Sequence, residues 1–83
     1  MLRQNVYKLI DGERAYQDRQ TNHSSTHDAN HSVSDWIIFM EHQIQEAKEA
    51  IYFVNREEAL KRIRKATALG VVCMENNETP PRV

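Results

Sequence analysis

Charged side chains at helical spacing are the first chemistry visible in this chain. Glu46 and Glu49 lie three residues apart, a spacing that stacks two carboxylates on one helical face, where they repel unless a cation compensates them. Arg64 and Lys65 show the converse problem. Lys61 follows Glu57 by four residues and Arg62 follows Glu58 by four, the favourable order for local pairing. No acid stands three or four residues from Arg64 or Lys65, so each needs a partner on another helix or on a ligand. The simplest account is a set of interhelical ion pairs. A hairpin folded about Asn55 and Arg56 sets Glu46 level with Lys65 and Glu49 level with Arg62.

Other reactive types are less informative. His23, His27 and His31 recur every four residues with Asp28 nearby, which on a helix would align three metal ligands. The surrounding residues offer no apolar stripe to hold such a helix, so a solvated loop is the expectation. Cys73 lies among Val72 and Met74 without a catalytic helper and reads as a buried structural thiol. His42, four residues before Glu46, reads as a helix-surface pair with it. Proton transfer by His42 would follow only if Glu46 were catalytic.

The elements that must position these groups follow from periodicity. Val6, Leu9, Ile10 and Tyr16 share a face of a helix predicted over residues 2–19, with Gly12 as a weak point. Residues 20–32 contain no large apolar side chain and read as a polar loop, mobile or serving as a lid. A second helix is predicted over residues 34–54, capped by Ser34, with Asp35 at the positive end of its dipole and Val33 stapled to Ile38. Its apolar stripe runs Ile37, Met40, Ile44, Ala47, Ile51 and Val54, widened by Trp36, Phe39, Ala50 and Phe53. Such a width calls for a second contact, with the first helix or with another subunit.

A third helix over residues 57–74 opens on Glu57 and Glu58 and buries Leu60, Ile63, Thr67, Leu69 and Met74. Ala66, Ala68 and Gly70 permit close backbone approach. The short break at Asn55 and Arg56 forces the two helices antiparallel. Asn76, Asn77, Pro80 and Pro81 end the helix and start an extended tail over residues 76–83. The fold class is therefore all-α: an antiparallel helical hairpin plus an N-terminal helix.

Composition sets the outer bounds. At 83 residues the chain is one small domain, near the size at which a single core barely offsets chain entropy, so a helical-bundle homo-oligomer is expected. A net charge of -1 gives it no general attraction to DNA, RNA or an anionic membrane. One cysteine excludes an internal disulfide framework and fits a reducing cytoplasm. The apolar run from Trp36 stops at Glu41, far short of a membrane span, and the polar N-terminus lacks the apolar region of an export signal.

Several motifs together carry a resemblance. The segment His31-Ser32-Val33-Ser34-Asp35-Trp36, the Glu46-x-x-Glu49 pair, and Ile63-Arg64-Lys65-x-x-Ala68-Leu69-Gly70-Val71-Val72-Cys73-Met74-Glu75 resemble small phage-type proteins grouped with the MazG-like all-α nucleoside triphosphate pyrophosphohydrolases. Glu13-Arg14-x-Tyr16-Gln17 is similar to a segment of the same phage proteins. The resemblance implies a helix bearing Glu-x-x-Glu and a following helix bearing Glu-x-x-Asp, which together hold magnesium over a triphosphate, with the metal offsetting charge during attack of water.

Glu46 and Glu49 match the first half of that pattern as metal-ligating and catalytic candidates. The chain departs from the second half, because Lys61, Arg62 and Lys65 stand where acids belong. Glu75-x-x-Glu78 is a further carboxylate pair, placed several turns away by an antiparallel hairpin unless a partner subunit supplies it. The favoured reading is a non-catalytic binder of a nucleotide or cyclic nucleotide, held by Arg14, Tyr16, Arg64, Lys65 and Arg82 without a cofactor. A phage protein sequestering a nucleotide defence signal in the host cytoplasm would fit that chemistry. A Mg2+-dependent pyrophosphohydrolase using Glu46 and Glu49, and a structural or protein-binding oligomer, are the alternatives.

Overall fold

The computed structural model describes residues 1–20 and 30–82. Three helices follow one another: α1 (Arg3–Asp18), α2 (Val33–Tyr52) and α3 (Arg56–Asn76). The antiparallel α2–α3 hairpin is the main packing unit, and α1 lies chiefly against α3. No strand occurs among the described residues, and none of their helices is long and apolar enough to cross a membrane. Most of the expected polar loop, with His23, His27 and Asp28, lies outside the described residues.

Helix α2 begins two residues earlier than expected, on Ser32 rather than Ser34. Ser32 Oγ accepts from the Asp35 backbone N–H at 3.2 Å, and the Asp35 carboxylate accepts from the Ser32 N–H at 3.0 Å. Only Ser32 has an acid three residues on, so only Ser32 closes this reciprocal box. Val33 thereby becomes the first helical residue, and it and Ile38 are both exposed.

The hairpin interface also differs from the expected stripe. Trp36, Met40, Gln43, Ala47 and Ala50 face α3, a four-three-four-three repeat. Across from them Ala59 packs on Ala47 and Ala50, while Leu69 and Val72 enclose Trp36. Small residues explain the choice. Alanines at 47, 50, 59 and 66 let the helix axes approach, and a Cβ on Gly70 would sit only 3.3 Å from Met40 Cε. Ile37, Ile44, Ile51, Leu60, Ile63 and Met74, expected in the core, are turned outward and are about half exposed.

The turn pivots on Val54, which takes a left-handed φ of 57°. Asn55 then caps α3, its Oδ1 accepting from the Glu58 N–H at 3.1 Å. At the other end Asn76 and Asn77 fold back on the helix, their side-chain amides donating to the Val72 and Cys73 carbonyls at 2.9 and 2.8 Å. The second of these contacts satisfies a carbonyl of the last turn, which a helix end leaves open. Pro80 and Pro81 lie in the extended tail beyond.

Helix α1 is continuous through Gly12. Its docked face is Ile10, Glu13, Arg14 and Gln17, whereas Val6, Leu9 and Tyr16 are exposed. Three of those four docked residues are polar, so charge pairing rather than apolar area holds α1 on α3.

Candidate functional site

Two ion pairs dock α1. Glu13, buried, accepts from Arg64 Nε at 2.7 Å. Arg14, also buried, places Nε 3.0 Å and Nη2 3.4 Å from the two oxygens of Glu75. It donates as well to Asp18 at 3.0 Å and to Gln17 at 3.2 Å. Burial alone would lower the Arg14 pKa, but the hydrogen bond and charge of Glu75, helped by Asp18, reverse this and raise it. Arg14 and Arg64 are therefore engaged by carboxylates of the chain itself. Glu75 serves α1 rather than a carboxylate set with Glu78.

Lys65, the neighbour of Arg64, has no such partner among the described residues. It is half-buried and stands in a cleft between α1 and α2 that α3 floors. The cleft measures about 620 Å³ and is lined by Tyr16 and Gln17 from α1, Trp36, Phe39 and His42 from α2, and Lys65 with Leu69 from α3. A volume of this order is ordinary for a small-molecule site. Tyr16, an expected ligand contact, forms part of its wall.

Aromatic edges build the far wall. His31, Trp36 and Phe39 meet pairwise in T-shaped contacts, with centroids 5.1–5.6 Å apart, an arrangement that aligns positive ring edges with negative faces. His31 also lies 3.4 Å from Asp35, joining this cluster to the cap of α2. The backbone N–H of Ser32, then His31, hold the Asp35 carboxyl below its ordinary value of 3.8. Trp36 is 1% exposed, and its Nε1 is a buried donor without an acceptor among the described residues. Nothing in the sequence distinguished the role of Trp36 and Phe39 here from simple core packing.

The acidic candidates stand outside this lining. Glu46 lies 3.5 Å from His42 and 3.8 Å from Arg62, which also takes Glu58 at 3.0 Å. Glu49 is exposed and has no partner among the described residues. Pairing of Arg62 with Glu46 moves the expected register by one turn, because the hairpin pivots on Val54 rather than on Asn55 and Arg56. Lys65 consequently falls level with His42 and Gln43, inside the cleft.

With a guanidinium beside Glu46 where the second set of oxygen donors would have to stand, these residues do not fit a magnesium centre. No three metal-ligating side chains converge among the described residues. Arg82 is exposed on the tail, apart from the cleft lining. Cys73 is only half-buried, packed at the edge of the Trp36–Leu69–Val72 cluster.

The structure thus divides the five expected ligand contacts. Tyr16 and Lys65 share the cleft and, with Arg64, also line a second depression of about 500 Å³ between α1 and α3; Arg14 and Arg64 brace α1, and Arg82 stands apart. Comparison of the chain with family models, curated proteins and solved structures found no match.

Proposed function

We propose that the chain is a non-catalytic nucleotide-binding protein whose ligand occupies the cleft between α1 and α2. The observation that carries this reading is Lys65, a half-buried ammonium without a carboxylate partner among the described residues, in a cleft walled by Tyr16 and Phe39. An ammonium meets a phosphate oxygen as a point charge, and aromatic walls give a base apolar area on which to settle. Glu13 lines the same cleft, but its charge is already met by Arg64. The Arg62 guanidinium beside Glu46 favours binding over hydrolysis. The phage-type resemblance of the motifs gives the biological setting, sequestration of a nucleotide signal used in host defence.

Thermal-shift measurements with linear and cyclic nucleotides, with and without magnesium, test the reading. Stabilisation independent of magnesium is expected, together with a change in the emission of Trp36, the single tryptophan. Lys65→Ala should weaken binding about tenfold or more, corresponding to one lost charge-assisted contact of about 1.5–3 kcal/mol, while leaving ligand-free melting unchanged. Magnesium-dependent pyrophosphate release abolished by Glu46→Gln or Glu49→Gln would replace this reading with the hydrolytic one. No stabilisation by any member of the panel would end it.

A further inference from the structure

Helix α2 carries a second seam, offset by one residue from the one that faces α3. Ile37, Glu41, Ile44, Lys48 and Ile51 repeat at four-three-four-three spacing, the periodicity that packs one helix along another. The three isoleucines are 46–58% exposed. Glu41 and Lys48 are exposed and have no partner among the described residues. Neither has an opposite charge three or four residues away, and seven residues separate them, too far for pairing along one helix.

The order of residues on this seam is self-complementary about Ile44. Reversing its direction places isoleucine on isoleucine and sets glutamate beside lysine, one residue apart in register. Ile63 of α3 lies level with Ile44, and heptad geometry puts it with Leu60 on the same flank of the antiparallel hairpin. Their half-exposed side chains extend the apolar face.

We propose that this face is covered by the same face of a second copy of the chain, antiparallel about a two-fold axis near Ile44. A two-fold interface uses one patch twice, so the patch must complement its own reverse. Here Ile44 meets its own copy, Ile37 meets the partner's Ile51, and Glu41 meets the partner's Lys48 on both sides of the axis. An unrelated apolar partner would not require that mirrored charge order.

The size of the core points the same way. Among the described residues the buried hydrophobics number nine, and five are alanines, a small core for a domain standing alone.

Charge swaps across the seam test the proposal on the full chain. Solution mass is measured against concentration for the wild type, Glu41→Lys, Lys48→Glu and the double swap, with helix content followed by circular dichroism. The wild type should show twice 9.7 kDa or an even multiple. Each single swap sets like charges together twice and should weaken association at least tenfold with helix content retained. The double swap should restore it to within a few-fold. A helical wild type of single-chain mass at every concentration overturns the proposal. Association indifferent to the single swaps, or a double swap as weak as either single one, also overturns it.

Discussion

Removing the Arg64 guanidinium should destabilise the fold before it touches ligand binding. Arg64→Met keeps much of the apolar stem and deletes the charge, leaving Glu13 without a counter-ion. The Glu13 side chain is 7% exposed and the pair is short, 2.7 Å. Taking one partner from a fully buried pair costs about 3–5 kcal/mol, because the remaining charge is stranded. Arg64 itself is 37% exposed, so water reaches one side of the pair and screening reduces the loss to about 2 kcal/mol. In a chain of this size each kcal/mol moves Tm by about 4–8 °C, so a fall of about 10 °C is expected.

Thermal unfolding followed by circular dichroism, at one fixed protein concentration, measures that fall. A second variant separates stranded charge from lost packing. Glu13→Gln combined with Arg64→Met leaves a neutral amide in place of the carboxylate and should recover about half of the lost stability. The reasoning fails if Arg64→Met melts like the wild type. Should it also lose nucleotide binding while melting normally, Arg64 is a ligand contact, as the sequence alone led us to expect, and α1 is held by something else.

Three further outcomes follow from particular residues. Val54 is 91% exposed at a φ of 57°, a region that costs an L-residue about 1–2 kcal/mol; Val54→Gly should therefore raise urea resistance by about 0.5–1 kcal/mol after the greater freedom of unfolded glycine is subtracted. Asp35 has a lowered folded pKa, so its contribution is complete above the ordinary value of 3.8 and disappears as pH falls through the lower folded value. The stability gap between wild type and Asp35→Asn should accordingly close as pH falls below about 4, which acid titration of melting temperature would reveal. Arg14→Met should release α1 from Glu75 and cost about 1–3 kcal/mol, discounted because Glu75 is half exposed, a loss that hydrogen exchange would locate in α1.

The helices themselves were legible because local signals agreed: a polar break, an asparagine before two glutamates, and asparagines followed by prolines. The buried face was legible in part: Trp36, Met40, Ala47, Ala50 and Leu69 lie inward as expected, whereas Ile37, Ile44 and Ile51 do not. Periodicity shows that apolar residues recur at three and four, but α2 has two adjacent seams at that spacing, and large isoleucines mark the wrong one. Shape decides between them. Alanines at 47, 50 and 59 permit close helix approach, a property that hydrophobicity alone ranks below isoleucine. Moving the pivot from between Asn55 and Arg56 to Val54 then shifted the partner of Glu46 from Lys65 to Arg62, nearly a full turn.

The candidate site was legible in part, for a related reason. Unpaired charge in the sequence identifies Arg64 and Lys65 as needing partners but cannot see Glu13, fifty-one residues away. Once α1 docks, its buried Glu13 takes Arg64 and its Arg14 takes Glu75. Adjacent residues on a helix point about 100° apart, so Lys65 leaves α3 in a different direction from Arg64. It turns into the gap that α1 leaves beside α2, where Tyr16, Phe39 and Trp36 also face. The bracing pairs and the placement of Lys65 are thus one arrangement. Loosening α1 by breaking either pair should disturb the cleft as well, whereas changing Lys65 should alter its charge and leave its walls standing.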